Sequence, residues 1–245
     1  MIVKSFLSSS FLALALAVPA TAQEIEWSYE GDRGPANWGS LAPAFSTCST
    51  GERQSPINLR GADRVDAARI RAKYTATGVT LENNGHTIEG VPEKEQTLRI
   101  GTKAFRLVQF HFHTPSEHAV SGRRYPLEIH LVHQAPDGER VVFGVLVKRG
   151  HRNAAFAELG RLPRMEGTEI EVEERVNVRG LMPRRLTALR YTGSLTTPPC
   201  TEDVRWNVAD AYIELSRRQI RRVRSIIGAS ARPLQPRNGR RLIVG

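Results

Sequence analysis

At 245 residues, 40% hydrophobic and 24% charged, the chain has the composition of an ordinary soluble globular protein, long enough for one large domain or two small ones and for a sizeable core. After residue 22 no apolar run approaches the ~20 residues that a membrane-spanning helix needs, which excludes an integral helical membrane protein. The formal net charge of +10 is lopsided: Glu214 to Gly245 holds nine arginines against one glutamate, so +8 of it sits in the tail.

The opening residues MIVKSFLSSSFLALALAVPATAQ carry Lys4, an apolar run from Phe11 to Val18 and the small-residue site Ala20-Thr21-Ala22. This is the pattern of a secretory signal over residues 1–22, cut before Gln23, with an apolar stretch too short for a membrane anchor. Removing it takes away Lys4 and no acid, so residues 23–245 carry +9. Export to the periplasm or beyond meets an oxidising compartment. There Cys48 and Cys200, the only two cysteines, have one possible intramolecular pairing, two free thiols being the alternative.

Short runs of alternating or β-branched residues follow: VTLEN from Val79, FRLVQFHFH from Phe105, LEIHLVH from Leu127, RVVFGVLV from Arg140, ALRYTG from Ala188 and VRWNV from Val204. Gly, Pro, Asn and Asp turns part them, so they read as strands. Helical periodicity is confined to two places. NAAFAELG has Asn153 as N-cap and Gly160 as stop; in ELSRRQIRRVRSIIG, Ser216 and Gln219 are spaced as a capping box and Ile220, Val223, Ile226 and Ile227 share one face. The arginines of that second helix fall outside its apolar face, and it has no aromatic residue for stacking, so it reads as a docked helix with a solvated basic side rather than a nucleic-acid site. No repeat or long linker divides the chain. The pattern predicts a single domain, mainly β with a few short helices, around a mostly antiparallel sheet.

On a strand, side chains two apart share a face, so Gln109, His111 and His113 point one way while Phe110 and Phe112 point the other. The following strand puts Glu128, His130 and Val132 on one face. The connection 114–126 is short enough to pair the two strands antiparallel and bring a third imidazole to the first two. Three neutral imidazoles on rigid strands with a fourth position open is the ligand set of a catalytic zinc site, with copper the competing metal. Gln109 and Glu128 lie where they can accept the remaining ring N–H groups. His118 and His133 are expected to be buried structural groups and His151 to be at the surface, while Ser55-Pro56 and Pro198-Pro199 are candidates for cis peptide bonds.

In order, the segments WSYEGDRGPANW (27–38), QSPINL (54–59), NNGH (83–86), QFHFH (109–113), SEH (116–118), LEIHLVH (127–133) and YTGSLTTPPCTEDVRW (191–206) resemble the α-class carbonic anhydrases, bacterial secreted members in particular, through nearly the whole mature chain. The resemblance implies a large twisted central sheet of about ten strands. It also implies reversible hydration of carbon dioxide to bicarbonate and a proton by hydroxide held on Zn²⁺. Position by position, His111, His113 and His130 resemble the zinc ligands, backed by Gln109 and Glu128. His86 resembles the proton-shuttle histidine, and Thr196 the threonine that accepts from the hydroxide and donates to a buried glutamate, here Glu117. Val132, Val142, Leu195, Thr197, Val204 and Trp206 match the substrate pocket; Tyr29 and Asn84 match residues that hold ordered waters. Cys48 and Cys200 match the disulfide of bacterial members, which would hold the Thr196-Thr197 loop against the zinc. Phe143 and Glu89, expected near the pocket, and the arginine-rich tail depart from the usual pattern without touching a ligand. The expected partners are carbon dioxide and bicarbonate, with sulfonamides and anions as inhibitors and a homodimer as the candidate assembly; no nucleic acid and no membrane span are expected. The competing function is an exported acatalytic metal- or polyanion-binding module on the same fold, which would usually show a lost ligand, whereas all three histidines are present.

Overall fold

The computed structural model describes residues 25–245, apart from the side chains of residues 173 and 174; the signal segment expected over residues 1–22 lies outside them. In the strand Lys103–His113 the buried apolar side chains are Phe105 and Leu107, then Phe110 and Phe112. Strict two-residue alternation would put the first pair on the face of Gln109, His111 and His113. A register shift between Leu107 and Gln109, in the pairing with Leu127–Gln134, corrects the phase. All four apolar side chains therefore reach one core, and the polar trio faces away from it.

Leu127–Gln134 divides in the same way: Leu127, Ile129 and Leu131 join that core, and Glu128, His130 and Val132 take the other face. The adjoining strand Arg140–Arg149 sends Val141, Phe143, Val145 and Val147 into the first core. Its Val142 and Leu146 enter a second core with Tyr191 from Ala188–Ser194 and with Val204, Trp206 and Val208 from Glu202–Ala209. The sheet thus separates two apolar layers, each fully buried Val, Leu or Phe contributing about 1.5–3 kcal/mol, and the three histidines lie on the side of the second. Phe143 is a correction to the sequence reading. It is fully buried in the first core, because alternation gives the pocket side to Val142.

Among the described residues thirteen strands form one sheet, ten of them in a continuous path from Thr168–Val176 at one end to Asp63–Arg64 at the other. Most pairs are antiparallel. Arg140–Arg149 pairs parallel with Glu202–Ala209 and with Ile213–Leu215, and Ile243–Val244 pairs parallel with Asp63–Arg64, so the sheet is mixed. Asn153 caps Ala154–Glu158, its side chain accepting from the Phe156 N–H at 2.9 Å, and Gly160 follows at a φ of 56°. Ser216 and Gln219 form both halves of a capping box on Arg217–Ile227, whose Ile220 and Val223 are buried against the first core. Short helical turns between Gly31 and Thr50 show no helical period in the sequence. They are held by Trp38, buried beside the disulfide that joins Cys48 to Cys200 across 152 residues. Ser55–Pro56 and Pro198–Pro199 are cis, as is Thr114–Pro115, which the sequence reading did not single out.

Candidate metal centre

His111 and His130 stand opposite each other in the strand pairing, with ring centroids 5.1 Å apart. The His113 ring lies 5.0 Å from that of His111 and 4.6 Å from that of His130. One ring nitrogen of each comes within 4.8 Å of the other two. The hydrogen bonds behind the rings decide which nitrogen that is. Gln109 Nε2 donates to Glu89 Oε2 at 2.9 Å, so its Oε1 faces His111 as an acceptor and His111 Nδ1 must donate, at 2.8 Å. His113 Nδ1 donates to the backbone carbonyl of Ser230 at 2.6 Å, and His130 Nε2 donates to Glu128 Oε1 at 3.0 Å. The lone pairs left are those of His111 Nε2, His113 Nε2 and His130 Nδ1. Burial, then the neighbouring His113 and His130, hold the His111 imidazole well below its usual range, and burial lowers His113. Neutral imidazole is the form that binds metal.

His113 Nε2 is buried with no hydrogen-bond partner among the described residues, and so is Glu117 Oε2, which lies 3.5 Å from it and 3.9 Å from His130 Nδ1. A buried polar atom left unsatisfied costs about 1–3 kcal/mol. Three imidazole lone pairs gathered within 4.8 Å of one another are satisfied together by a cation, and a set of three imidazoles without thiolate suits Zn²⁺. The residues present fit the metal.

Behind the three imidazoles, Glu128 Oε2 accepts from the His118 backbone N–H at 2.8 Å and Oε1 from His118 Nδ1 at 2.8 Å. With its proton on Nδ1, His118 Nε2 accepts from the Tyr191 hydroxyl at 2.6 Å, and Tyr191 Oη is 2.9 Å from Ser55 Oγ. Burial pushes the Glu128 carboxyl up, but His118 and His130 outweigh it and hold it well below the usual carboxylate range. Gly144, in register with His130, leaves the carboxylate its room: a Cβ there would meet Glu128 Oε1 at 3.0 Å.

A family model described as eukaryotic-type carbonic anhydrase matches residues 33–244. The chain belongs to the eukaryotic-type carbonic anhydrase family. A carbonic anhydrase of Pectobacterium carotovorum is 38% identical over 235 residues, 95% of this chain and 96% of that one. One of Neisseria gonorrhoeae is 36% identical over 231 residues, 94% and 92% of the two chains. The α-carbonic anhydrase of Thermovibrio ammonificans, solved with the inhibitor sulfanilamide, aligns with a TM-score of 0.86 at 38% identity, covering 89% of this chain and 99% of that one.

In this member of the carbonic anhydrase family, Val142, Val204 and Trp206 are buried in one cluster, with Val132 and Leu195 partly buried against it. The Trp206 ring lies 4.8 Å from that of His130, so the apolar wall adjoins the histidines. Thr196 is buried and Thr197 half-buried in a loop closed by Leu195 N–H to Thr201 O and Cys200 N–H to Thr197 O, both at 2.9 Å, and by the disulfide. The expected hydrogen bond from Thr196 to Glu117 is not formed in this structure: Glu117 Oε1 accepts from the Arg232 backbone N–H at 2.9 Å while Oε2 turns to the imidazoles. His86 is half-buried and stacks on Trp27, centroids 3.6 Å apart and planes 11° from parallel. Its turn is built by Asn84, whose Oδ1 accepts from the backbone N–H of His86 at 3.1 Å and of Thr87 at 3.0 Å. The buried Tyr29 hydroxyl has no partner among the described residues, and burial, then Glu117, hold its pKa well above the usual range. His118 and His133 are buried, and His151 is exposed and paired with Glu214 at 2.6 Å.

Two contributors escaped the sequence reading. Ser230 acts through its carbonyl, which leaves no side-chain signature. Arg232 counts among the tail arginines, yet it is 1% exposed. Its guanidinium donates to Gln54 Oε1 and Ser55 O at 2.8 Å and to Cys48 O at 2.9 Å, pinning the tail beneath the site.

Proposed function

We propose that the protein hydrates carbon dioxide reversibly to bicarbonate and a proton, using Zn²⁺ held by His111, His113 and His130, and that residues 1–22 direct its export. The observation that carries this reading is the set of three ring nitrogens within 4.8 Å, their tautomers set by fixed acceptors, beside an apolar wall. The bound ion supplies Lewis acidity, which in carbonic anhydrases, the standard instance of the effect, brings the pKa of a coordinated water from 15.7 to about 7.

The remaining work falls to side chains. Neutral ligands preserve the charge of the ion, where thiolates or carboxylates would reduce it. Gln109, Glu128 and the Ser230 carbonyl hold the rings in orientation. The single hydroxyl hydrogen of Thr196, not bonded to Glu117 in this structure, goes in the metal-loaded protein to Glu117 Oε2, which is buried and short of a donor. With that hydrogen committed, Thr196 Oγ1 can only accept, and it orients the attacking oxygen toward the substrate carbon. Val132, Val142, Leu195, Val204 and Trp206 offer apolar surface to uncharged carbon dioxide, and Thr197 follows Thr196 in the loop that Leu195 enters. His86 takes the released proton through water and passes it to buffer, a task suited to a half-buried imidazole; Tyr29 and the turn of Asn84 support that water path.

Inhibition tests the reading. Residues 23–245 loaded with zinc should hydrate carbon dioxide and lose that activity as sulfanilamide binds in a one-to-one ratio. A folded, zinc-loaded chain without hydration activity overturns it.

A further inference from the structure

Tyr191 faces the second core, and its neighbour Arg190 therefore points to the opposite side of the strand Ala188–Ser194. There a cavity of about 730 Å³ is lined by six arginines: Arg69, Arg71, Arg179, Arg184, Arg185 and Arg190. They come from separate parts of the chain: the strand Ile70–Lys73 and the residue before it, the 3₁₀ turn Val178–Leu181, the connection 184–187 and the strand Ala188–Ser194. Asp66 is the one carboxylate side chain among the lining residues.

Arginine ion pairs among the described residues are made by Arg33, Arg53, Arg205 and Arg241, none of which lines this cavity. Two of the six guanidiniums are held in place by backbone oxygens: Arg179 donates to Met182, Pro183 and Arg184, and Arg190 donates to Gly245 O at 2.7 Å. Arg190 Nε is buried without a hydrogen-bond partner among the described residues. Converging like charges repel unless an anion stands among them, and the planar fork of a guanidinium matches phosphate oxygens two at a time. Six cations against one acidic side chain and the Gly245 oxygen that Arg190 already engages suit an ion of two or more negative charges, which phosphates supply and bicarbonate does not.

We infer that this cavity binds phosphate-type oxyanions, either free or as the phosphomonoester headgroup of a lipid. The site is distinct from the metal centre: none of the residues around the three histidines lines it, and Arg190 points away from the face that Tyr191 presents to the second core.

Calorimetric titration with pyrophosphate, on zinc-loaded and zinc-stripped protein, tests it at low and at about 0.15 M ionic strength. Arg69→Gln, Arg71→Gln, Arg184→Gln and Arg185→Gln combined remove exposed charge and leave Arg179 and Arg190 untouched. Arg217→Gln, Arg218→Gln, Arg221→Gln and Arg224→Gln combined remove the same charge from the exposed side of the last helix. Saturable binding should be equal with and without zinc, weaken by roughly tenfold or more, about 1.4 kcal/mol, in the cavity variant, and change less than about twofold in the helix variant. Sedimentation with vesicles containing phosphatidic acid forms a second arm, and association lost in the cavity variant alone assigns the headgroup as ligand. The inference is overturned if neither probe binds saturably, if the two variants lose binding equally, or if binding disappears with the zinc.

Discussion

His118 Nδ1 lies 2.8 Å from Glu128 Oε1, the same oxygen that accepts from His130 Nε2 at 3.0 Å. His118 and His130, a member of the candidate metal cluster, share one buried carboxylate, so the strand pairing and the proposed metal site are joined at a single side chain. Replacing Glu128 by Ala should lower zinc affinity by about 10–100-fold and also destabilise the fold, because His118 loses its partner. Gln109→Ala should lower affinity in the same range with a smaller loss of stability, since Gln109 is only half-buried. Chelator competition and urea unfolding, run on both variants, separate the two effects.

His86 stacks on Trp27 in a turn of its own and is not a member of the His111, His113 and His130 cluster. His86→Ala should keep its zinc and its pocket while losing about tenfold or more of kcat in weak buffer, with kcat/KM little changed. Added imidazole should restore the rate. A variant whose rate is as insensitive to buffer as the parent removes His86 from proton transfer.

Cys48 and Cys200 close a loop with a sequence separation of 152 residues, and Cys200 ends the turn that carries Thr196 and Thr197. Cys48→Ser with Cys200→Ser should cost about 2–4 kcal/mol of stability. Urea unfolding of oxidised, reduced and double-serine forms measures it, and the reduced parent should match the double variant.

Strand period made the histidine cluster legible: Gln109, His111, His113, Glu128 and His130 alternate with core residues, and the short connection between their strands leaves one pairing available. The same period misplaces Phe105 and Leu107, because the register shift that rephases them belongs to the pairing and not to the local pattern. It also decides Phe143, since whichever of Val142 and Phe143 takes the pocket side sends the other to the far core. The parallel pairing of Arg140–Arg149 with Glu202–Ala209 joins segments far apart in sequence and has no local signal. Arg232 shows the limit of composition: one letter stands both for the exposed arginines of the last helix and for a guanidinium buried under Trp38, 5.6 Å from its ring.

His133, buried and bonded to the Tyr74 hydroxyl, makes a pH prediction. Burial lowers its imidazole to about 3, against about 6.5 in an unfolded chain. Between those values the unfolded chain binds a proton that the native one excludes. The stability contributed is therefore full above about pH 6.5 and falls by up to about 1.4 kcal/mol per unit as the pH drops toward 3. Urea midpoints from about pH 7 to 4 should fall more steeply for the parent than for His133→Gln.

Stopped-flow hydration of carbon dioxide from about pH 6 to 9, by protein stripped of zinc and then restored, distinguishes a catalytic metal centre from an inert histidine cluster. The stripped protein should be inactive, activity should return in proportion to zinc up to one ion per chain, and the rate should rise through an apparent pKa near 7. Folded, zinc-restored protein that hydrates carbon dioxide no faster than buffer would contradict the assignment of His111, His113 and His130 to a catalytic metal.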